Sequence, residues 1–304
     1  MKIIDGHVHL VQTIAGTGDG GAMRSIGGGR AMYDDGTVYT LIPPCLGEES
    51  VTPEAVLRVF DENEVEKGVL LQGNFMGYQN LYAYAAMQKY PDRFLAAAAY
   101  DPFSRKRDAI LHHLFEELGI RVVKHEVSTG SGLMSNHRTL PLDGELLEKE
   151  FAYADEHELV CTIDIGKLGS ESSQIGALRE VIRRHPGLTF VVCHLLAPKQ
   201  DMLREMVDGL EALKAPNVWF DTASIDHNVR PDTAPEFPVT RRFIGAAVRA
   251  VGADRLIFGT DLPSALTRRS YGEVASIILA DPGLSQEQKQ LIMHDNADRV
   301  YFKA

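Results

Sequence analysis

The chain begins Met1-Lys2-Ile3-Ile4-Asp5-Gly6-His7-Val8-His9. Ile3, Ile4 and Val8 suit a buried strand, and strand alternation places Asp5, His7 and His9 on one face. Two imidazoles two residues apart can close on a single ion or substrate oxygen, because neutral imidazole is the commonest metal ligand. The stretch also reads as an ordinary strand that happens to carry histidines. Whether other strands end in matching ligands decides between the two.

From Thr52 onward the sequence alternates between helix and strand patterns. Thr52-Pro53-Glu54 has an N-cap followed by proline at the first helical position. Helical spacing then gives way to apolar, strand-like runs at residues 68–73, 94–100, 120–125, 159–164, 188–194, 217–221 and 255–261. A helix pattern precedes each run, and two more close the chain, the last opened by the capping-box sequence Ser285-Gln286-Glu287-Gln288. With the first strand this makes eight strands, each followed by helix. Their near-continuous apolar character fits parallel strands covered on both faces. The expected fold is therefore α/β, a (β/α)8 TIM barrel forming one domain over residues 1–304. A doubly wound open sheet is the main alternative, but it more often shows a glycine fingerprint at its first strand-to-helix turn.

That first turn is instead a long segment, residues 11–52, rich in glycine (Gly16, Gly18, Gly20, Gly21 and Gly27-Gly28-Gly29) with no visible amphipathic period. It lacks the Gly-Lys-Ser/Thr ending of a phosphate loop. Its length suggests an irregular functional loop covering a substrate. Arg24 and Arg30 in it could meet an anionic substrate, or could be solvated surface arginines.

Composition narrows the function. Of the residues, 44% are hydrophobic and 24% charged, as in ordinary globular proteins. A net charge of −11 without a Lys/Arg run argues against nucleic acid or an anionic membrane as partner. No apolar run approaches the ~18–20 residues needed to span a bilayer. Cys45, Cys161 and Cys193 form no zinc spacing and cannot all pair. Reduced thiols and the absence of a signal-peptide pattern lead us to expect a cytoplasmic protein.

In a (β/α)8 barrel the chemistry sits at the C-terminal ends of the strands. Here those ends carry His7 and His9; Lys124, His125 and Glu126; Asp164; His194; Asp221 with His227 soon after; and Asp261. His112, His113, His157, His185 and His294 fall on helices, where a solvated or capping role suffices, and His137 lies in a loop. His7, His9, His194 and Asp261 can converge over one barrel mouth. Lys124, His125 and His227 have both a structural and a functional reading, and Asp221 reads as a loop cap.

The pieces Ile4-Asp5-Gly6-His7-Val8-His9, Val191-Val192-Cys193-His194, Leu256-Ile257-Phe258-Gly259-Thr260-Asp261-Leu262-Pro263 and Asn296-Ala297-Asp298-Arg299-Val300-Tyr301 together resemble the amidohydrolase superfamily. The similarity is to the branch of amidohydrolase-related hydrolases, aminocarboxymuconate-semialdehyde-type decarboxylases and pyrone-dicarboxylate-type lactonases. The resemblance implies a divalent metal, zinc or alternatively manganese, with His7, His9 and Asp261 as ligands. Asp261 would also shuttle the proton, and His194 would polarise the substrate carbonyl or ligate.

One departure stands out: metal-dependent members of this branch usually end the fifth strand in histidine, where this chain has Asp164. A carboxylate can replace the imidazole, or mark a site without an ion, as in lactonase-type relatives that work without metal.

The first expectation is a hydrolase cleaving a small carboxylate-bearing lactone or cyclic amide, with Lys124, His125, Arg24, Arg30, His227 and Arg230 as candidate substrate contacts. A decarboxylase on the same barrel is the second, and a non-catalytic binding protein on a degenerate site is the third. The expected partner is a small molecule, and barrels with exposed helices often pair as homo-oligomers.

Overall fold

A computed structural model of the chain describes residues 1–130 and 132–303. The principal sheet contains β1 (Ile3–Val8), β6 (Val65–Leu70), β7 (Phe94–Ala98), β8 (Val122–Glu126), β9 (Val160–Asp164), β10 (Thr189–Val192), β11 (Val218–Asp221) and β12 (Leu256–Ile257), in that spatial order. All neighbours pair in parallel. The parallel bridge Val8–Leu262 and the bonds Gly6 N→Phe258 O (2.8 Å) and Asp261 N→His7 O (2.9 Å) join the last strand to the first. The sheet is therefore a barrel, as the alternation predicts.

Between the strands run α1 (Pro53–Glu62), α2 (Asn80–Lys89), α3 (Arg107–Leu111), α4 (Glu145–Glu156), α5 (Ile175–Arg184), α6 (Leu203–Leu213), α7 (Ile225–Asn228) and α8 (Pro238–Val251). After β12 come α9 (Tyr271–Leu279) and α10 (Gln286–Gln290). Their starts follow local chemistry. The Thr52 hydroxyl accepts the Ala55 N–H at 3.2 Å, and Ser270 and Ser285 form reciprocal caps with Glu273 and Gln288. No helix is long and apolar enough to cross a membrane among the described residues.

Two apolar layers hold the barrel. The larger lies between strands and helices, around Phe60, Phe94, Phe190, Phe220 and Phe243. The smaller fills the interior with Ile4, Val69, Val122, Val160, Val191 and Ile257, plugged by Tyr301 near the C-terminus. The Tyr301 hydroxyl meets Thr162 Oγ1 at 3.0 Å, so this plug buries its polar tip without leaving it unpaired.

Residues 11–52 depart from the irregular loop expected of them. They form a four-stranded antiparallel sheet of β2 (Thr17–Gly18), β3 (Gly21–Gly27), β4 (Arg30–Tyr33) and β5 (Val38–Thr40). The glycine run is a hairpin turn: Gly28 and Gly29 have φ of 61° and 70°, the left-handed pair that a tight β3–β4 turn demands. Alternation was present in the sequence, with Met23, Ala31 and Tyr33 buried and Arg24, Arg30 and Met32 exposed. The density of glycine masked it. Thr17 N bonds Asn74 O and Asp19 N bonds Gly130 O, so the sheet stands over the loops that follow β6 and β8.

Candidate active site

The first strand does not keep the simple alternation expected of it. Residues 5 to 8 of β1 stand against residues 68 to 70 of β6, one residue more on β1 than on its partner. Such a bulge re-aims side chains. Asp5 points to the helix layer, where it accepts from Thr260 N (3.0 Å), Thr260 Oγ1 (2.7 Å), the Tyr271 hydroxyl (3.1 Å) and His7 N (3.1 Å). Gly6 and His7 both face inward, and His9 follows. Gly259 makes the room, because a Cβ there would stand 2.7 Å from His7 Cβ.

At the mouth, Asp261 Oδ1 lies 3.2 Å from His9 Nε2 and 3.8 Å from His7 Nε2, while its Oδ2 accepts the Ser224 hydroxyl at 2.6 Å. The opposite ring nitrogens are tied down: His7 Nδ1 to Asp221 Oδ2 at 2.9 Å and His9 Nδ1 to the Leu71 carbonyl at 3.0 Å. Tying Nδ1–H to an oxygen fixes the tautomer and turns the Nε2 lone pair toward the mouth, as metal-ligating histidines require. Burial holds the His7 imidazole down at about 4, against the pull of Asp221, so the ring is neutral. Although burial opposes ionisation of Asp261, the His9 hydrogen bond and the neighbouring histidines hold its carboxyl well below the usual range. One atom from each of His7, His9 and Asp261 falls within 4.8 Å of the others, a set that suits a divalent ion. A second such set, His7, Cys193 and His194, overlaps it.

His194 is placed differently. Its Nδ1 faces the Ala223 carbonyl at 2.9 Å and its Nε2 faces Asp164 Oδ2 at 3.5 Å. Both nitrogens thus meet acceptors, which suits an imidazolium. Burial opposes the charge, but Asp164 raises the ring to about 10, with Asp221 and Asp261 adding to it. Asp164 accordingly pairs with His194 and with Gly166 N–H (2.7 Å), outside either ligand set. His194, Ser224 and Asp261 all have left-handed backbones, φ 62°, 54° and 66°. For residues with a Cβ this costs roughly 1–2 kcal/mol each. At His194 and Asp261 it is offset by the bonds His194 N→Asp221 Oδ1 (2.7 Å) and Asp261 N→His7 O.

The remaining candidates divide. Lys124 is buried on the inner face and bonds Glu126 Oε2 at 3.2 Å. His227 is half-buried, with Arg230 Nη1 3.1 Å from its Nδ1. Burial and the charges of Arg268 and Arg230 push its imidazole down to about 4. Arg24 and Arg30 lie exposed on the small sheet. Arg24 donates to the Met23 carbonyl at 2.7 Å, and neither arginine bonds a residue of the centre.

His125 turns away from the mouth, because strand alternation sends it outward when Lys124 and Glu126 face in. Its ring packs between Tyr100 and Phe151, at 6.0 and 5.6 Å, beside a cavity of about 20 Å³. Burial lowers its imidazole to about 4, below the value near 6.5 of the unfolded chain. Unfolding below pH 6.5 therefore takes up a proton that the fold refuses, so this contribution is complete above 6.5 and is lost as pH falls toward 4. His125→Phe should flatten that loss by about 2 kcal/mol between pH 7 and 4.5, read from urea unfolding free energies at the two pH values.

Sequence reasoning missed three contributors. Asp221, taken as a loop cap, ties His7, the His194 N–H and the Ala223 N–H (3.1 Å) with one fully buried carboxylate. Ser224 orients Asp261 from a loop with no motif of its own. Arg268 comes close enough for its charge to bear on His227 and Asp261.

No curated protein sequence matches the chain. Among solved structures, one similar fold is a protein from Acinetobacter baumannii named a probable 2-pyrone-4,6-dicarboxylic acid hydrolase, with citric acid bound. It is 16% identical at TM-score 0.67, over 99% of this chain and 100% of that one. An amidohydrolase from Burkholderia multivorans with bound zinc is 16% identical at TM-score 0.71, over 99% of each chain. The 2,6-dihydroxybenzoate decarboxylase from Rhizobium is 15% identical at TM-score 0.57, over 82% of this chain and 87% of that one. These likenesses establish the fold. The amidohydrolase family model matches residues 4–303, nearly the whole chain, and the protein therefore belongs to the amidohydrolase family.

Proposed function

We propose that the protein is a metal-dependent hydrolase that opens a small carboxylate-bearing lactone or cyclic amide. The observation that carries this reading is the convergence of His7 Nε2, His9 Nε2 and Asp261 Oδ1, with both far nitrogens anchored. A zinc-like ion held by these three would act as a Lewis acid and lower the pKa of water toward ~7.

The rest of the chemistry belongs to the chain. Asp261 keeps Oδ1 toward the histidines because Ser224 occupies Oδ2, so a water placed there has a carboxylate base beside it. His194, as an imidazolium held between the Ala223 carbonyl and Asp164, sets a positive charge beside the carbonyl oxygen on which charge develops. Lys124, His227 and Arg230 are the cationic or donor groups best placed for the substrate carboxylate. The citrate-bearing and zinc-bearing relatives are in keeping with this ligand chemistry.

The test is metal content of protein purified without added metal, followed by turnover of a lactone and cyclic-amide panel with and without chelator. We expect near-stoichiometric zinc or manganese, and at least a tenfold (~1.4 kcal/mol) loss of rate on chelation that readdition restores. Ring opening by metal-free protein would instead place it with metal-independent lactonases. Release of CO2 without ring opening would favour decarboxylation, and absence of both metal and turnover would favour a binding protein.

A further inference from the structure

Glycine at position 73 answers to neither of the usual demands for that residue. Its φ lies outside the left-handed region, and beyond its chain neighbours an added Cβ would meet no described atom closer than 3.6 Å. At Gly259, by contrast, a Cβ would stand 2.7 Å from His7 Cβ, and at Gly68 it would stand 2.8 Å from the Phe60 ring. What Gly73 leaves is room. Among the described residues, and leaving aside Gln72 and Asn74, the added Cβ would have two atoms within 4 Å: Glu126 Oε2 at 3.6 Å and His9 Cε1 at 4.0 Å.

The segment carrying Gly73 is held on both sides. The Leu71 carbonyl meets His9 Nδ1 at 3.0 Å, the Gln72 side chain accepts the Gln79 N–H at 2.7 Å, and Asn74 Nδ2 donates to Thr17 Oγ1 at 2.8 Å. The room in front of Gly73 therefore has fixed walls.

Its polar wall is Glu126. Lys124 Nζ donates to Oε2 at 3.2 Å and Ser128 Oγ to Oε1 at 2.7 Å, two donors that suit a carboxylate. A carboxylate oxygen accepts more than one hydrogen bond, so Oε2 keeps a lone pair for a group standing in front of Gly73. An anion there repels a substrate carboxylate and attracts a hydroxyl or amino group. The other wall, His9 Cε1, adjoins the Nε2 that faces Asp261. A group seated here is thus carried on the ring under attack rather than on a distant tail.

We propose that the space bounded by Gly73, His9 and Glu126 is a subsite for a hydroxyl or amino substituent of the substrate ring; this rests on the hydrolytic reading above. Gly73 sets its size and Glu126 accepts the hydrogen bond. The substrate class narrows to lactones or cyclic amides that carry a donor as well as a carboxylate.

The experiment compares one carboxylate-bearing lactone with its hydroxyl and amino regioisomers on the full-length, metal-loaded enzyme. A hydrogen bond to a charged acceptor should favour one isomer over the parent by roughly tenfold or more in kcat/KM. In Gly73→Ala a methyl group occupies the space, and in Glu126→Gln the acceptor loses its charge; each should bring that preference below about threefold. The preference is a ratio between substrates, so a general loss of activity or stability does not move it. Gly73→Ala asks for no change of backbone or neighbours, and it decides the matter should Glu126→Gln not fold. No favoured isomer, or a preference that survives either folded variant, would overturn the subsite and leave the hydrolase reading intact. A wild type that opens no ring in the panel would overturn the hydrolase reading itself, and the subsite with it.

Discussion

Asp261→Asn should lower turnover by at least about 10³-fold while the barrel remains folded. The amide keeps the size of the side chain and one carbonyl oxygen, but loses the charge that makes Asp261 both ligand and base. The Ser224 hydroxyl donates to Oδ2 at 2.6 Å, and Oδ1 stands 3.2 Å from His9 Nε2 and 3.8 Å from His7 Nε2, where a carboxylate can share an ion with the two imidazoles. The backbone there needs no change, because the Asp261 N–H to His7 carbonyl bond survives the substitution. Metal content measured on the variant separates its two roles, since a loaded but silent variant assigns the loss to proton transfer. Near-native turnover, with an unchanged circular dichroism spectrum, would remove Asp261 from the mechanism.

Asp5→Ala should be the most damaging single change to stability, at about 3–5 kcal/mol. For a domain of this size that corresponds to a fall in Tm of roughly 5–8 °C. Asp5 is fully buried and accepts from four donors: two N–H groups, the Thr260 hydroxyl and the Tyr271 hydroxyl. Alanine leaves all four without an acceptor in a site too tight for water to replace the carboxylate well. Turnover should fall as well, because Asp5 fastens the β1 bulge to the chain that leads from β12 into Asp261. Thermal unfolding of the variant is the measurement. A shift of only a degree or two would mean that the bulge is held by the strand pairing alone.

Much of the candidate site was legible because its spacing is local. His-x-His on an opening strand, His194 and Asp261 at strand ends, and helix starts such as Thr52-Pro53 and Ser285–Gln288 need only nearby residues to be recognised. The small sheet over the mouth was not legible, since its glycines serve a hairpin turn rather than a ligand loop. Asp221 was under-read for a similar reason. Nothing in its neighbourhood indicates that His7, 214 positions earlier, will donate to it. His125 kept both a structural and a functional reading because a strand end carrying Lys-His-Glu does not state which of its faces is inward.

The sequence alone determined the eightfold alternation, and with it the barrel, because apolar periodicity and capping are properties of short segments. It also determined which residue types stand at the strand ends. The tertiary structure decided what those residues became. The extra residue of β1 against β6 turned His7 inward and Asp5 outward, and the bare Gly259 gave His7 room. The pairing of β8 with β9 set Glu126 beside Asp164, and Asp164 turned to His194. Register and side-chain direction depend on which strands become neighbours, and no local pattern encodes that.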